Sequence, residues 1–164
     1  MTQKLANQLT LGRIIFLPLC IIFLMYGMNG LAAITYLLLL FSDALDWYFA
    51  GRFGHESEIG KWLDPLADKV LIVSTLVILT GLARVNPIPV VIICSRELIV
   101  ASLRLESNFA ASEIAKYKTF FQGAATLMLI LNLPFGTLVL WFSILLSLIS
   151  GAVYLWKSRI NHQI

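Results

Sequence analysis

The sequence predicts an all-α, polytopic membrane protein, and its composition and charge pattern support that prediction. Of the 164 residues, 59% are hydrophobic and 13% are charged, whereas charged residues make up about 25% of an average soluble domain. No charged residue occurs within 14–42 or within 119–156, and each stretch exceeds the roughly 20 apolar residues that cross a bilayer once. A segment that faces lipid must satisfy its backbone hydrogen bonds internally, which favours helices.

Turn-forming stretches at Gly27–Gly30, Arg84–Pro87 and Asn132–Gly136 and polar stretches at Arg52–Lys61 and Arg104–Lys118 divide the chain into six apolar segments. We therefore expect about six transmembrane helices in a single domain covering residues 1–164. The predicted helices run from about Leu9 to Tyr26, Leu31 to Ala50, Leu63 to Ala83, Ile88 to Leu103, Thr119 to Leu131 and Thr137 to Trp156.

The basic residues predict how the helices are oriented. Of the 12 lysines and arginines, only Arg84 falls on the far side of the predicted helices. Cytoplasmic loops carry the excess of Lys and Arg, so both termini are expected in the cytoplasm. The protein is expected in the cell (inner or plasma) membrane, in contact with membrane lipids. Because these residues lie at helix ends, the net charge of +3 does not indicate nucleic acid, and no such partner is expected.

Four aspartates form two pairs near the predicted cytoplasmic end of the second and third helices. Asp43 and Asp46 are three residues apart and Asp64 and Asp68 are four apart, so each pair shares one helix face. An ionised Asp at the bilayer centre costs about 2.5–3.5 kcal/mol to insert, so four need a counter-charge. Oxygen-only ligands suit one or two Mg²⁺ or Mn²⁺ ions.

Helix capping and ion transport are also roles in which such aspartates occur. Asp64 precedes Pro65 and could cap a helix, but capping does not explain four acids in matched pairs. Intramembrane acids also mark ion pathways in transporters. Transporter sites usually lie near the midplane between repeats, whereas these acids cluster at one end and the sequence shows no repeat.

The spacing of the aspartates resembles the motif of the CDP-alcohol phosphotransferase family, Asp-x2-Asp-Gly-x2-Ala-Arg-x8-Gly-x3-Asp-x3-Asp. All four aspartates, Ala50 and Gly60 fall in register with it. The stretch Asn7–Arg13, Ser95-Arg96-Glu97 followed by Leu103-Arg104, and Lys116–Thr119 are similar to members that use glycerol 3-phosphate. The resemblance implies transfer of a phosphatidyl group from CDP-diacylglycerol to sn-glycerol 3-phosphate, with release of CMP. Homodimers are common in this family, so the resemblance also makes a homodimer a candidate assembly.

The resemblance assigns roles to individual residues. Asp43, Asp46 and Asp64 would hold metal, and Asp68 would share a second ion or act as the catalytic general base. The nucleotide and diphosphate would contact Asn7, Thr10, Arg13, Ala50, Arg52 and Gly60. The phosphate of the acceptor would contact Arg96, Arg104, Lys116 and Lys118. The lysines could instead be interfacial anchors, and Arg96 could instead form a structural ion pair with Glu97.

Two positions depart from the family motif. Trp47 stands where the family has Gly, and Gly51 stands where it has Arg. The indole would fill space beside the nucleotide, and Arg52 is turned about 100° from the lost Arg. The chain is then an active synthase with an altered pocket, a degenerate member with impaired or no turnover, or a protein altered deliberately at these positions. A different acceptor alcohol, such as inositol phosphate or serine, is also open.

Overall fold

Over the residues that the computed structural model describes, the chain forms six α-helices and no strand. The backbone is described for residues 2–53, 58–106 and 113–161, and the side chains for residues 12–13, 15–42, 69–100 and 117–152. The all-α prediction and the number of helices are confirmed. The helices are α1 (Thr2–Met25), α2 (Asn29–Phe53), α3 (Glu58–Gly81), α4 (Pro87–Glu106), α5 (Glu113–Ile130) and α6 (Gly136–Asn161).

Three helices begin more than one turn earlier than the hydropathy pattern predicts, and α3 is one of them, since it begins at Glu58 rather than near Leu63. Helix α1 begins at Thr2 rather than near Leu9, and α5 begins at Glu113 rather than near Thr119. The added turns of α1 and α5 contain no Gly or Pro and include Ala, Lys, Glu and Gln, which favour helix even where they are polar. As a consequence, Lys116 and Lys118 lie within α5 rather than in a polar connection.

The first compact unit covers Met1–Leu82, and in it α1 packs against α2 and α3. Leu17, Cys20 and Leu24 are buried at helical spacing on α1. The Cys20 thiol donates to the carbonyl oxygen of Ala32 at 3.4 Å. The small side chains of Ala32 and Ala33, both buried, therefore let α1 and α2 approach closely at this point.

The turn between α1 and α2 is closed by a glycine in the left-handed region. Gly27 has φ 73°, and its N–H donates to the carbonyl of Leu24 at 3.0 Å. The next N–H, of Met28, donates to the carbonyl of Phe23 at 2.9 Å. This pair of bonds is a Schellman motif, which satisfies the last carbonyls of the helix.

The second compact unit covers Ala83–Ile164, and in it α6 packs against both α4 and α5. Pro87 occupies the first position of α4, and the Asn86 side chain caps the helix by accepting from the N–H of Ile88 at 2.9 Å. Asn132, with φ 55°, ends α5 with a second Schellman motif. Each unit is compact in itself, and the prediction of a single domain over 1–164 stays a prediction.

Large apolar side chains are exposed on all six helices, while several polar side chains are buried. The exposed residues include Phe16, Leu38, Val77, Leu98, Phe120 and Leu138. The buried polar residues are Arg13, Thr75, Arg96, Glu97, Lys118, Gln122, Thr126, Ser143, Ser147 and Ser150. Judged over the described residues alone, none of the helices combines the length and the apolar character that a membrane crossing needs.

Candidate functional site

The predicted metal-binding aspartates lie on two helices of the first unit. Asp43 and Asp46 fall in α2, and Asp64 and Asp68 fall in α3, two helices that contact each other. The helical spacing on which the metal prediction depends is therefore present in the backbone. The four side chains lie outside the described ones. Among the described side chains, no group of three or more His, Cys, Asp or Glu could hold a metal ion, so the metal site stays a prediction.

Most of the predicted nucleotide-binding residues also lie outside the described side chains: Asn7, Thr10, Ala50, Arg52 and Gly60, together with the departing positions Trp47 and Gly51. Arg13 is the exception. It lies on α1 and is buried. A buried guanidinium needs compensation by hydrogen bonds or charge, so Arg13 is an interior residue of the first unit. Its predicted contact with the nucleotide stays a prediction.

The second unit brings two of the four predicted phosphate-binding residues to one carboxylate. Arg96 on α4 donates from Nη1 to Oε1 of Glu97 at 2.9 Å. Lys118 on α5 donates from Nζ to the same oxygen. The side chains of Arg96, Glu97 and Lys118 are 9%, 10% and 5% exposed. The Arg96–Glu97 ion pair that the sequence allows is therefore present, and it includes Lys118 as well.

Helix α6 completes the surroundings of Arg96. The Arg96 Nε donates to the carbonyl oxygen of Ser147 at 3.0 Å, and its Nη2 donates to the hydroxyl of Ser150. A Cβ added at Gly151 would lie 3.6 Å from the Arg96 Nε, an ordinary van der Waals distance, so the backbone of α6 passes close to the guanidinium here. Acceptors on α4 and α6 thus surround one buried arginine whose Nε, Nη1 and Nη2 are each directed at one of them, an arrangement that fixes the group in place.

Arg104 on α4 and Lys116 on α5 are the other predicted phosphate-binding residues. They lie on the same helices as Arg96 and Lys118, and their side chains lie outside the described ones. The structure therefore places all four residues on two helices of the second unit. It describes contacts for Arg96 and Lys118, and leaves their role toward a phosphate as a prediction.

The polar faces of α5 and α6 were not among the features predicted from the sequence. Lys118, Gln122 and Thr126 follow one another at intervals of four residues on α5, and Ser143, Ser147 and Ser150 do so at intervals of four and three on α6. All six are buried. The spacing itself is visible in the sequence, since polar residues that recur at helical intervals in an apolar segment share one face.

These buried polar groups differ in how they are satisfied. The Thr126 hydroxyl donates to the carbonyl of Gln122 at 2.8 Å, and the Ser143 hydroxyl donates to the carbonyl of Leu140 at 2.7 Å. In contrast, Nε2 of Gln122 and Oγ of Ser147 are buried with no hydrogen-bond partner among the described residues. Gln122 is one helical turn from Lys118, and the carbonyl of Ser147 accepts from Arg96.

Comparison with known proteins places the sequence in one group. A family model described as CDP-alcohol phosphatidyltransferase matches residues 3–149. A CDP-diacylglycerol–glycerol-3-phosphate 3-phosphatidyltransferase of Rickettsia typhi is 33% identical over 93% of this chain and 95% of its own length. The Bacillus subtilis protein of that name is 30% identical over 94% and 95%. A probable phosphatidylglycerophosphate synthase of Mycobacterium tuberculosis is 33% identical over 94% and 81%.

Proposed function

Because the chain belongs to the CDP-alcohol phosphatidyltransferase family, we propose that it transfers a phosphatidyl group from CDP-diacylglycerol to sn-glycerol 3-phosphate and releases CMP. The observation that carries the proposal is the similarity to proteins named CDP-diacylglycerol–glycerol-3-phosphate 3-phosphatidyltransferase. The similarity extends over nearly the whole length of this chain and of each relative. The protein is then an enzyme of phospholipid biosynthesis. Its substrates are one lipid-linked nucleotide and one water-soluble polyol phosphate.

The reaction joins an acceptor hydroxyl to the phosphorus that carries the diacylglycerol. A new P–O bond forms to the acceptor, the P–O bond to CMP breaks, and the acceptor hydroxyl loses its proton. We assign Asp68 as the base that takes this proton, since a carboxylate beside the hydroxyl assists its attack. Bound Mg²⁺ or Mn²⁺ would neutralise charge on the phosphate oxygens, and Asp43, Asp46, Asp64 and Asp68 supply the hard oxygen ligands that such ions prefer.

The acceptor is an anion and requires cations of its own. We propose that Arg96 and Lys118 bind its phosphate, with Arg104 and Lys116 on the same two helices. Support comes from the convergence of Arg96 and Lys118 on one carboxylate oxygen of Glu97. A phosphate presents oxygens of the same kind to a guanidinium fork and an ammonium, so the cluster is suited to exchange one anion for another.

The helices are proposed to lie in the cell membrane, with both termini and the aspartates on the cytoplasmic side. The uncharged stretches 14–42 and 119–156 support this placement. So do the large apolar side chains exposed on every helix beside buried charged ones, because intramembrane ionisable residues face the protein interior. A lipid substrate would reach the site from the bilayer. Assembly as a homodimer is an expectation from the family alone.

The departures from the motif favour a second candidate, a family member with an impaired nucleotide pocket. Trp47 and Gly51 stand where the family motif has Gly and Arg. An indole in place of a hydrogen atom limits how closely a ligand approaches the helix backbone. Weak binding of CDP-diacylglycerol would then accompany an intact acceptor site.

The test is transfer of labelled sn-glycerol 3-phosphate onto CDP-diacylglycerol by the purified protein with Mg²⁺ or Mn²⁺. We expect labelled lipid from the wild-type chain and none from Asp68→Ala. Product from Trp47→Gly/Gly51→Arg but not from the wild type would establish the impaired pocket. No product from either chain, with the label or with other alcohols, would contradict the proposed function.

A further inference from the structure

Two buried polar atoms of the second unit have no hydrogen-bond partner among the described residues. They are Nε2 of Gln122 on α5 and Oγ of Ser147 on α6, in residues that are 3% and 2% exposed. Buried polar groups in native proteins almost always have a partner, in the protein or in a bound molecule. A buried donor that lacks one is therefore a sign of a group that arrives from outside the chain.

The unsatisfied atoms are confined to one turn of α5 and one turn of α6. One turn further along α5, the Thr126 hydroxyl is satisfied by its own helix, and one turn back along α6 the Ser143 hydroxyl is as well. The Ser150 hydroxyl accepts from Arg96 and donates to the carbonyl of Ser147 at 3.3 Å. Unsatisfied atoms are thus not a general property of these polar faces, and their position requires a specific explanation.

That position is next to the two buried cations. Gln122 follows Lys118 by four residues, which places it on the same face of α5 one turn of about 5.4 Å further on. Ser147 accepts from the Arg96 Nε through its own carbonyl at 3.0 Å. A ligand whose anionic group pairs with Arg96 and Lys118 would extend its neighbouring atoms toward Gln122 and Ser147.

We propose that Gln122 and Ser147 bind the hydroxyl-bearing carbons of the acceptor and determine its identity as a short polyol phosphate. The inference rests on the proposed function, because it takes Arg96 and Lys118 as the site of the phosphate. The Gln122 amide donates to a hydroxyl oxygen of the acceptor, and the Ser147 hydroxyl donates to or accepts from another. A site built to hydrogen-bond a hydroxyl discriminates strongly against an acceptor that lacks it.

The variants that test the proposal are Gln122→Met and Ser147→Ala, which remove the polar atoms with little change of shape. Thr126→Val and Ser143→Ala are the matched controls, since each removes a buried hydroxyl that its own helix already satisfies. We expect each test variant to raise the KM for sn-glycerol 3-phosphate about tenfold and to leave the KM for CDP-diacylglycerol unchanged. The controls should resemble the wild type in both.

A shortened acceptor separates recognition from a structural role. The wild type should lose affinity for 3-hydroxypropyl phosphate, which lacks the middle hydroxyl of glycerol 3-phosphate. If Gln122 or Ser147 contacts that hydroxyl, the corresponding variant should show no further loss with the shortened acceptor. A variant that weakens binding of both acceptors by the same factor does not lose a contact with the middle hydroxyl. Because the two residues are proposed to bind two different hydroxyls, one of which is the middle one, that result from both variants would overturn the proposal.

Calorimetric binding distinguishes failure of this inference from failure of the proposed function. With no CDP-diacylglycerol present, Gln122→Met and Ser147→Ala should weaken binding of sn-glycerol 3-phosphate but not of inorganic phosphate. If the wild type binds sn-glycerol 3-phosphate, the two variants bind it more weakly, and the wild type shows no transfer, the result contradicts the proposed function alone. Transfer by the wild type, with acceptor binding unaltered in both variants, shows that the acceptor does not contact the two atoms and contradicts this inference alone.

Discussion

Glu97 is the residue on which the buried cluster of the second unit depends. Its Oε1 accepts from both Arg96 and Lys118, which belong to different helices. Desolvated cations are costly unless an anion is in contact with them, so the carboxylate performs in the free protein the task proposed for the substrate phosphate. By the same reasoning, the unsatisfied polar atoms of Gln122 and Ser147 lower the stability of the free protein, and a bound ligand would offset that loss.

Substitution of Glu97 by Gln keeps the shape and removes the charge that both cations contact. Breaking a buried ion pair from one side costs about 3–5 kcal/mol, so the Tm of Glu97→Gln in detergent should fall well below that of the wild type. Added phosphate should raise the Tm of the variant more than that of the wild type, because the anion replaces the carboxylate.

Ser95→Ala is the control for this experiment. Ser95 lies two residues before Glu97, is exposed, and bonds its own helix at the Val91 carbonyl, so its loss should leave the Tm nearly unchanged. A Glu97→Gln protein as stable as the wild type, with no response to phosphate, would show that the cations have another source of compensation.

At the scale of single elements, the ends of the helices are set by local backbone chemistry. Gly27 closes α1 and Asn132 closes α5, with φ of 73° and 55° and the same pair of hydrogen bonds. Asn is one of the few residues with a side chain that enter the left-handed region readily. Composition predicts both turns, since Gly and Asn favour this conformation.

Gly27→Ala should destabilise the protein by about 1 kcal/mol, because an L-residue is strained at positive φ. No atom lies within 4 Å of the Cβ that would be added, so the cost comes from the backbone alone. Gly30→Ala has the same open surroundings within helix α2, where alanine is favoured over glycine. Thermal unfolding of the two variants should therefore change in opposite directions, and equal effects would rule out the backbone explanation.

At the scale of the whole chain, each compact unit contributes three helices to the described residues, with several polar residues buried and large apolar residues exposed. In a water-soluble protein, exposed large apolar patches mark interaction surfaces. Here large apolar side chains are exposed on all six helices, which agrees better with contact with lipid on many sides than with a single protein partner. Under the proposed membrane placement, the buried polar residues would supply the chemistry and the exposed apolar residues would anchor the helices in lipid.

The proposed orientation can be tested with single cysteines in intact cells, after Cys20 and Cys94 are replaced by alanine. Leu133 lies in the exposed turn between α5 and α6, on the predicted outer side. The cysteine of Leu133→Cys should therefore react with a membrane-impermeant thiol reagent. Ser158→Cys near the C-terminus should react only after permeabilisation. The reverse pattern would invert the topology, and equal labelling of both would contradict a membrane-spanning arrangement.

Features that arise from neighbouring residues follow from the sequence alone. Apolar runs and turn residues predicted six helices, and the spacing of the aspartates with Ala50 and Gly60 predicted the family that the comparisons confirmed. Hydropathy predicts the starts of α1 and α5 too late, because it does not register polar residues that favour helix. The roles of the aspartates and of the predicted nucleotide contacts stay predictions from the sequence.

The contacts between side chains that are distant in sequence follow from the packing of the helices. Lys118 reaches Glu97 across 21 residues of sequence, and Arg96 meets the Ser147 carbonyl and the Ser150 hydroxyl across 51 and 54 residues. No local pattern encodes such pairs, since they depend on how α4, α5 and α6 pack. Packing also decided that Gln122 and Ser147 are buried beside the cations with two polar atoms unsatisfied among the described residues, because burial belongs to the assembled helices and not to any single one.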